Sequence, residues 1–217
     1  MSESPTLVSA AHFAYVAEHT AGDDQLLREL KAAARAEGLP PIWISPAQAS
    51  LLQVLLRLSG AREVLEVGTL AGYSAIAMAR ALPPGGRVRT VEVSDRHADF
   101  AERWVARSDV SERVQVLRGR GAEVLPSLPD GSADAAFLDA DKVSYPLYLE
   151  ECLRIVRIGG LIAVDNAFAF GRLLEAEPGD DEVAAIRAFN DQLAAEPRLQ
   201  GVIVPLGDGC WVGVRLS

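Results

Sequence analysis

The sequence predicts an α/β fold: a doubly wound, mostly parallel sheet of seven strands with an antiparallel C-terminal hairpin and an N-terminal helical cap. Three observations lead there. From residue 63 onward, short apolar runs alternate with segments of helical period, and glycine or proline breakers stand at the junctions. The last two apolar runs follow each other without an intervening helix. Before residue 63 the pattern is helical only.

The cap comprises helical segments at 8–20, 23–37 and 46–59, broken at Gly22 and at Gly38-Leu39-Pro40-Pro41. The first strand, 63–67, passes through a glycine turn into a helix over 73–82. After the breaker Pro83-Pro84-Gly85-Gly86 come a Val- and Thr-rich strand at 87–93 and a helix at 95–107. Strands at 114–118, 133–139 and 161–165 alternate with helical segments at 122–128 and 146–157. Pro146 suits a first helical turn, and Gly159-Gly160 suits a helix exit. A final helix at 181–196 precedes strands at 201–205 and 210–216, joined through Leu206-Gly207-Asp208-Gly209 as a hairpin. Parallel strands joined by helices cross over right-handed and place ligands at the carboxyl edge of the sheet. One domain, 1–217, is expected, with 1–60 as the cap.

Composition narrows the function. Against 30 Asp and Glu stand 21 Lys and Arg, a formal charge of −9 that repels phosphate backbones and anionic lipid surfaces. No nucleic-acid or membrane partner is expected. The 2 cysteines, Cys152 and Cys210, form no metal-binding spacing and read as buried thiols of a reducing compartment. Residues 1–10 lack a basic start followed by an apolar run, so a cytoplasmic protein is expected.

The first strand leaves through Glu66-Val67-Gly68-Thr69-Leu70-Ala71-Gly72-Tyr73-Ser74. Two glycines spaced four apart let backbone approach a ligand closely, but the run is not the GxGxxG dinucleotide fingerprint. Glu92 ends the second strand, where a carboxylate can accept both hydroxyls of a ribose. Gly119-Arg120-Gly121-Ala122 either lets an adenine ring lie against backbone or makes a plain strand-to-helix turn. An adenosine-type ligand follows, shared by nicotinamide and S-adenosylmethionine (SAM) sites.

The fourth and fifth strands deliver Asp139-Ala140-Asp141-Lys142 and Asp165-Asn166 to the same edge. Asp139, Asp165 and Asn166 offer oxygen donors only, a set that selects a hard cation such as Mg²⁺ or Mn²⁺ and leaves coordination positions open. Asp141, with Tyr145-Pro146 downstream, reads as a turn residue. Lys142 is either a solvated lysine or, three residues beyond a metal ligand, a group that takes a proton from a hydroxyl.

These motifs, with Val64-Leu65-Glu66-Val67-Gly68-Thr69, Phe137-Leu138-Asp139 and Gly159-Gly160-Leu161-Ile162-Ala163-Val164-Asp165-Asn166 in order, resemble the cation-dependent O-methyltransferases of the catechol and caffeoyl-CoA type. That family is a branch of the class I SAM-dependent methyltransferases, and the fold it implies is Rossmann-like. The resemblance implies that Asp139, Asp165 and Asn166 bind the metal and that Lys142 is the general base. It further implies that Glu66, Gly68 and Ser74 line the methionine side of SAM, with Asp139 near the methionine amino group. Glu92 would hold the ribose hydroxyls, and Gly119 and Gly121 would lie beside the adenine. The implied activity is methyl transfer to one hydroxyl of a catechol-type small molecule, by a homodimer. Three departures stand out: the aromatic, often tryptophan, that follows the Asp-Asn pair by three positions in many relatives is missing from Asp165-Asn166-Ala167-Phe168-Ala169-Phe170-Gly171, Ile42 stands for the usual methionine ahead of Ser45-Pro46, and Gly121 replaces a common alanine. A nicotinamide-dependent oxidoreductase and a SAM-binding protein without turnover remain as alternatives.

Overall fold

The computed structural model describes residues 8–175 and 181–217; the first seven positions, part of the stretch in which no leader is read, lie outside the described residues. Three helices open the chain: α1 (Ala10–Glu18), α2 (Gln25–Ala36) and α3 (Pro46–Leu58). The Asp24 carboxylate accepts from the Leu27 amide and starts α2, which turns Leu27, Leu30 and Ala34 inward at helical spacing. At α3, Ser45 and Gln48 form a reciprocal capping box, with Pro46 in the first turn.

The sheet contains β1 (Glu63–Val67), β2 (Arg87–Glu92), β3 (Val114–Arg118), β4 (Ala133–Leu138), β5 (Val156–Val164), β6 (Leu199–Val204) and β7 (Cys210–Arg215). Their order is β3-β2-β1-β4-β5-β7-β6, with β1 to β5 parallel and β7 antiparallel to both neighbours. The connecting helices are α4 (Tyr73–Ala81), α5 (Asp95–Arg107), the single turn α6 (Gly121–Val124), α7 (Tyr145–Ile155) and α8 (Asp181–Ala195). The chain runs outward from β1 to β3 and then returns to β4, so the strand order reverses between β1 and β4, where open α/β sheets form their crevice.

Register then decides what meets there. Val67 pairs with Val91 on one side and Leu138 on the other, and Leu138 pairs with Val164. The next residue on each strand therefore emerges beside its neighbours: Glu92, Gly68, Asp139 and Asp165 stand in a row along the carboxyl edge.

Both faces are covered. One carries Leu30, Leu52, Leu56, Ile76, Phe100 and Trp104 from α2 to α5. The other carries Tyr145, Leu149, Cys152, Phe189 and Leu193 from α7 and α8. Each large side chain buried in this way contributes about 1.5–3 kcal/mol. Helix α1 has no buried residue.

The structure corrects two boundaries. Helix α7 ends at Ile155, and β5 begins at once, because Val156 already pairs with Ala133. Pairing then slips and resumes at Leu161 with Ala135, so Gly159 and Gly160 shape an irregular strand instead of ending the helix. A Cβ on Gly160 would lie 2.6 Å from the Asp134 carbonyl oxygen, which explains the glycine. The helical segment expected at 122–128 is one α turn followed by a 3₁₀ turn over Leu125–Ser127, where Pro126 has no amide to donate.

Candidate active site

A cavity of about 470 Å³ opens at the switch point. The turn after β1, the ends of β2 to β4 and the chain just before α3, with Ile42, Trp43 and Ile44, form its walls. Gly68, Ser74, Glu92, Gly119, Gly121 and Asp139 all line it.

Gly68 has φ +107°, and a Cβ there would stand 1.9 Å from the Asp139 carbonyl oxygen. Close approach of β4, as much as approach of a ligand, therefore requires this glycine. Leu70, at φ +47°, directs its amide onto Glu92 Oε2 at 2.7 Å, while the Ser94 amide donates to Oε1 at 2.9 Å. Backbone thus aims the carboxylate that the sequence assigns to a ribose. The Gly119 amide donates to the main-chain carbonyl of Glu92 at 2.8 Å, which fixes the third strand end against the second. Gly121 faces Tyr148, whose ring would meet a Cβ at 2.6 Å; the tyrosine fills the room that the expected alanine would need. Its hydroxyl donates to Asp141 at 2.8 Å, so Asp141 holds α7 beside the cavity and does more than make a turn.

Glu66 is wholly buried behind the turn and is not on the cavity wall. The Thr90 hydroxyl donates to its Oε2 at 2.5 Å, whereas Oε1 has no hydrogen-bond partner. Burial pushes this carboxyl up to about 8, against the Thr90 and Ser74 hydroxyls, which favour the charged form. An unpaired buried oxygen behind the β1 turn suits a ligand or side chain that brings a donor.

On the β4 side, Lys142 is only 6% exposed, so the solvated reading fails. Its Nζ lies 3.3 Å from Asp139 Oδ1 and donates to the Tyr145 hydroxyl at 2.6 Å. Burial, reinforced by Asp139 and Asp165, pushes the Tyr145 phenol well above its ordinary 10, so it stays protonated and accepts the lysine hydrogen bond through its oxygen.

Asp139 and Asp165 are both pushed above the usual carboxylate range. For Asp139 the cause is burial, opposed by Lys142. Asp165 reaches about 7 through burial and then the charge of Asp139, opposed by the Asn166 amide and by Lys142. Two neighbouring carboxylates that repel each other, Asp165 buried and Asp139 at the cavity wall, are what a divalent cation compensates. The third donor, Asn166, sits at φ +64° and commits its amide nitrogen to Asp208 Oδ2 at 3.1 Å, leaving its oxygen as the donor to a cation. All three donors are hard oxygens, and the set fits Mg²⁺ or Mn²⁺. Among the described residues no group of three His, Cys, Asp or Glu is arranged to hold a metal, so the candidate centre depends on the amide.

Two supporting residues escaped the sequence reading. Gln48 Nε2 donates to Asp165 Oδ1 at 2.6 Å. Asp208, in the β6–β7 turn, accepts from Asn166 and from the amides of Phe170 and Gly171, which ties the loop after β5 to the hairpin. The only sequence signals were a Ser-x-x-Gln cap and an aspartate in a glycine turn, and neither points to a distant partner.

Comparison with known proteins agrees with this geometry. The profile of a family described as O-methyltransferase matches residues 17–216. A catechol O-methyltransferase of Niastella koreensis is 39% identical over 196 residues, covering 89% of this chain and 86% of that one. An O-methyltransferase from Bacillus cereus, crystallised with S-adenosylhomocysteine (SAH), superposes with TM-score 0.85 at 36% identity, covering 94% of this chain and 97% of that one. A Streptomyces achromogenes O-methyltransferase involved in tomaymycin synthesis, in complex with SAM, gives TM-score 0.84 at 30% identity, with 95% and 96% covered. These matches retire the nicotinamide oxidoreductase. The chain belongs to the O-methyltransferase family and carries the Rossmann-like fold of the class I methyltransferases.

Proposed function

We propose that this protein moves the methyl group of SAM to one hydroxyl of a catechol-type small molecule, in a reaction that requires Mg²⁺ or Mn²⁺. The observation that carries the reading is the register that sets Glu92, Gly68, Asp139 and Asp165 in one row, with the first three lining the cavity and buried Lys142 held at Asp139. The relatives named catechol O-methyltransferase, and those crystallised with SAM or SAH, support it.

SAM, when bound, supplies an electrophilic methyl on sulfonium, and a divalent cation supplies positive charge that lowers the pKa of an acceptor hydroxyl. The rest falls to the chain. Glu92 accepts the ribose hydroxyls, Gly119 and Gly121 let the adenine lie against backbone, and Gly68 and Ser74 border the methionine portion with Glu66 behind them. Asp139 would face the methionine amino group and, with Asp165 and Asn166, would hold the cation. Lys142 takes the proton from the acceptor hydroxyl, and its contact with Tyr145 keeps Nζ at Asp139. The rate gain rests largely on alignment of acceptor and methyl. A vicinal diol would be favoured over a single phenol, because it offers a cation held by Asp139, Asp165 and Asn166 two oxygens.

The same reading treats residues 1–217 as one domain, working in the cytoplasm as a homodimer. Among the described residues no helix is long and apolar enough to cross a membrane. Mass spectrometry of a dihydroxyphenyl panel incubated with protein and SAM, with added Mg²⁺ and separately with EDTA, tests the proposal. A methyl gain that depends on the cation is expected. Equal gain in EDTA would remove the metal from the reaction, and SAM binding without product would favour a binding protein.

A further inference from the structure

Gln48 stands at the junction of cap and sheet edge, 5% exposed and with both ends of its amide committed. The oxygen Oε1 accepts from the Ser45 amide at 3.1 Å, and Nε2 donates to Asp165 Oδ1 at 2.6 Å. Asp165 lies 117 residues from Gln48, and one amide orientation satisfies both partners. Gly207, from the β6–β7 turn, closes the third side: a Cβ there would come within 2.2 Å of Gln48 Oε1. The amide is therefore caged by three separate segments of chain, and its hydrogen bonds among the described residues are these two.

The consequence falls on Asp165. Its backbone amide donates to the Leu138 carbonyl at 3.0 Å, which fixes the main chain but not the carboxylate. The Gln48 hydrogen bond restrains the carboxylate, in addition to the Asn166 main-chain amide that favours its charged form: it occupies Oδ1 and opposes rotation about the Cβ–Cγ bond. We infer that Gln48 is a positioning residue for the cation site, setting the Asp165 carboxylate from the N-terminus of α3. This rests on the metal reading given above. Partners that orient a ligand from behind typically change metal affinity by about 10- to 100-fold. A filler that only packs the junction would change stability and nothing else.

The test compares wild type, Gln48→Met and Ser45→Ala. Methionine keeps the length and volume but neither donates nor accepts a strong hydrogen bond. Ser45→Ala removes the hydroxyl that accepts from the Gln48 amide at 3.2 Å, weakening the helix cap while leaving the Gln48 side chain in place. Mn²⁺ binding would be followed by electron paramagnetic resonance of the free ion and SAM binding by calorimetry without cation, beside thermal unfolding of each protein. The inference expects Mn²⁺ affinity to fall about 10-fold or more in Gln48→Met, with SAM affinity within about 2-fold of wild type. Ser45→Ala is expected to lower Tm and leave Mn²⁺ affinity alone. Wild-type Mn²⁺ binding that persists undiminished in Gln48→Met would overturn this inference and spare the metal reading. A parallel loss in Ser45→Ala would also overturn it, since the cap would then be responsible. No Mn²⁺ binding by wild type would sink both.

Discussion

On the β1–β2 side of the site, short stretches of backbone hold nearly everything: Glu92 is aimed by the amides of Leu70 and Ser94, and Gly68 admits β4. On the β4–β5 side, side chains from remote parts of the chain do most of the holding: Gln48 from α3 on Asp165 and Asp208 from the last hairpin on Asn166, while Tyr145 holds Lys142 from three residues away. A wall made of local turns is set as soon as its two strands pair. A wall made of side chains converging from three segments exists only when cap, sheet and hairpin are all docked. The first suits a ligand shared across many reactions, and the second suits chemistry in which a carboxylate misplaced by an ångström costs rate.

Substitutions that remove one wall at a time sharpen this contrast. The largest effect is expected at the carboxylates. Asp165→Asn should lower methyl transfer by about 10³-fold or more, the several kcal/mol that a cation supplies, while SAM affinity holds. Because the change removes a buried, repelled charge, Tm of the cation-free protein should stay level or rise. Asp139→Asn, on the row shared by both walls, should weaken SAM binding as well as turnover. Undiminished turnover in either variant, measured with labelled SAM, would break the division.

Next comes Gly68→Ala, which attacks the backbone wall. With φ at +107° and a Cβ placed 1.9 Å from the Asp139 carbonyl, the strand ends must separate. A loss of about 3 kcal/mol of stability is expected by denaturant unfolding, with turnover falling only as far as the unfolded fraction and the shifted Asp139 require.

A pH dependence tests the buried carboxyls directly. Glu66 holds its proton to about 8 in the folded chain, against 4.5 as its ordinary value. Between those pH values the folded state binds a proton that the unfolded state has released, so the stability is complete below about 4.5 and declines as pH rises toward 8. Asp165, raised to about 7, adds to the same trend in cation-free protein. Tm of the cation-free protein should therefore fall from pH 5 to pH 8, and Glu66→Gln should flatten part of the slope. A slope identical in the variant would place the titration elsewhere.

The sequence by itself determined the alternation of strands and helices, the hairpin end and the identity of the residues at the carboxyl edge. Those are period-2 and period-3.6 patterns and local turn chemistry, and they carry their meaning within a few residues. It also named Lys142, but left open whether that lysine was solvated. Only the tertiary structure decided that, by burying Nζ between Asp139 and Tyr145. The same holds for the slipped pairing of β5, which depends on β4, and for Gly121, whose missing Cβ makes room for a ring on another helix. Glu66 gave no sign in sequence that one of its oxygens would be buried without a partner. Gln48 is the clearest case: within α3 it reads as a cap residue, and its second hydrogen bond spans 117 residues. Local pattern encodes which element forms, because that is settled by neighbours in the chain. Which oxygen a distant amide meets is settled by how the layers pack, and packing depends on the whole chain at once.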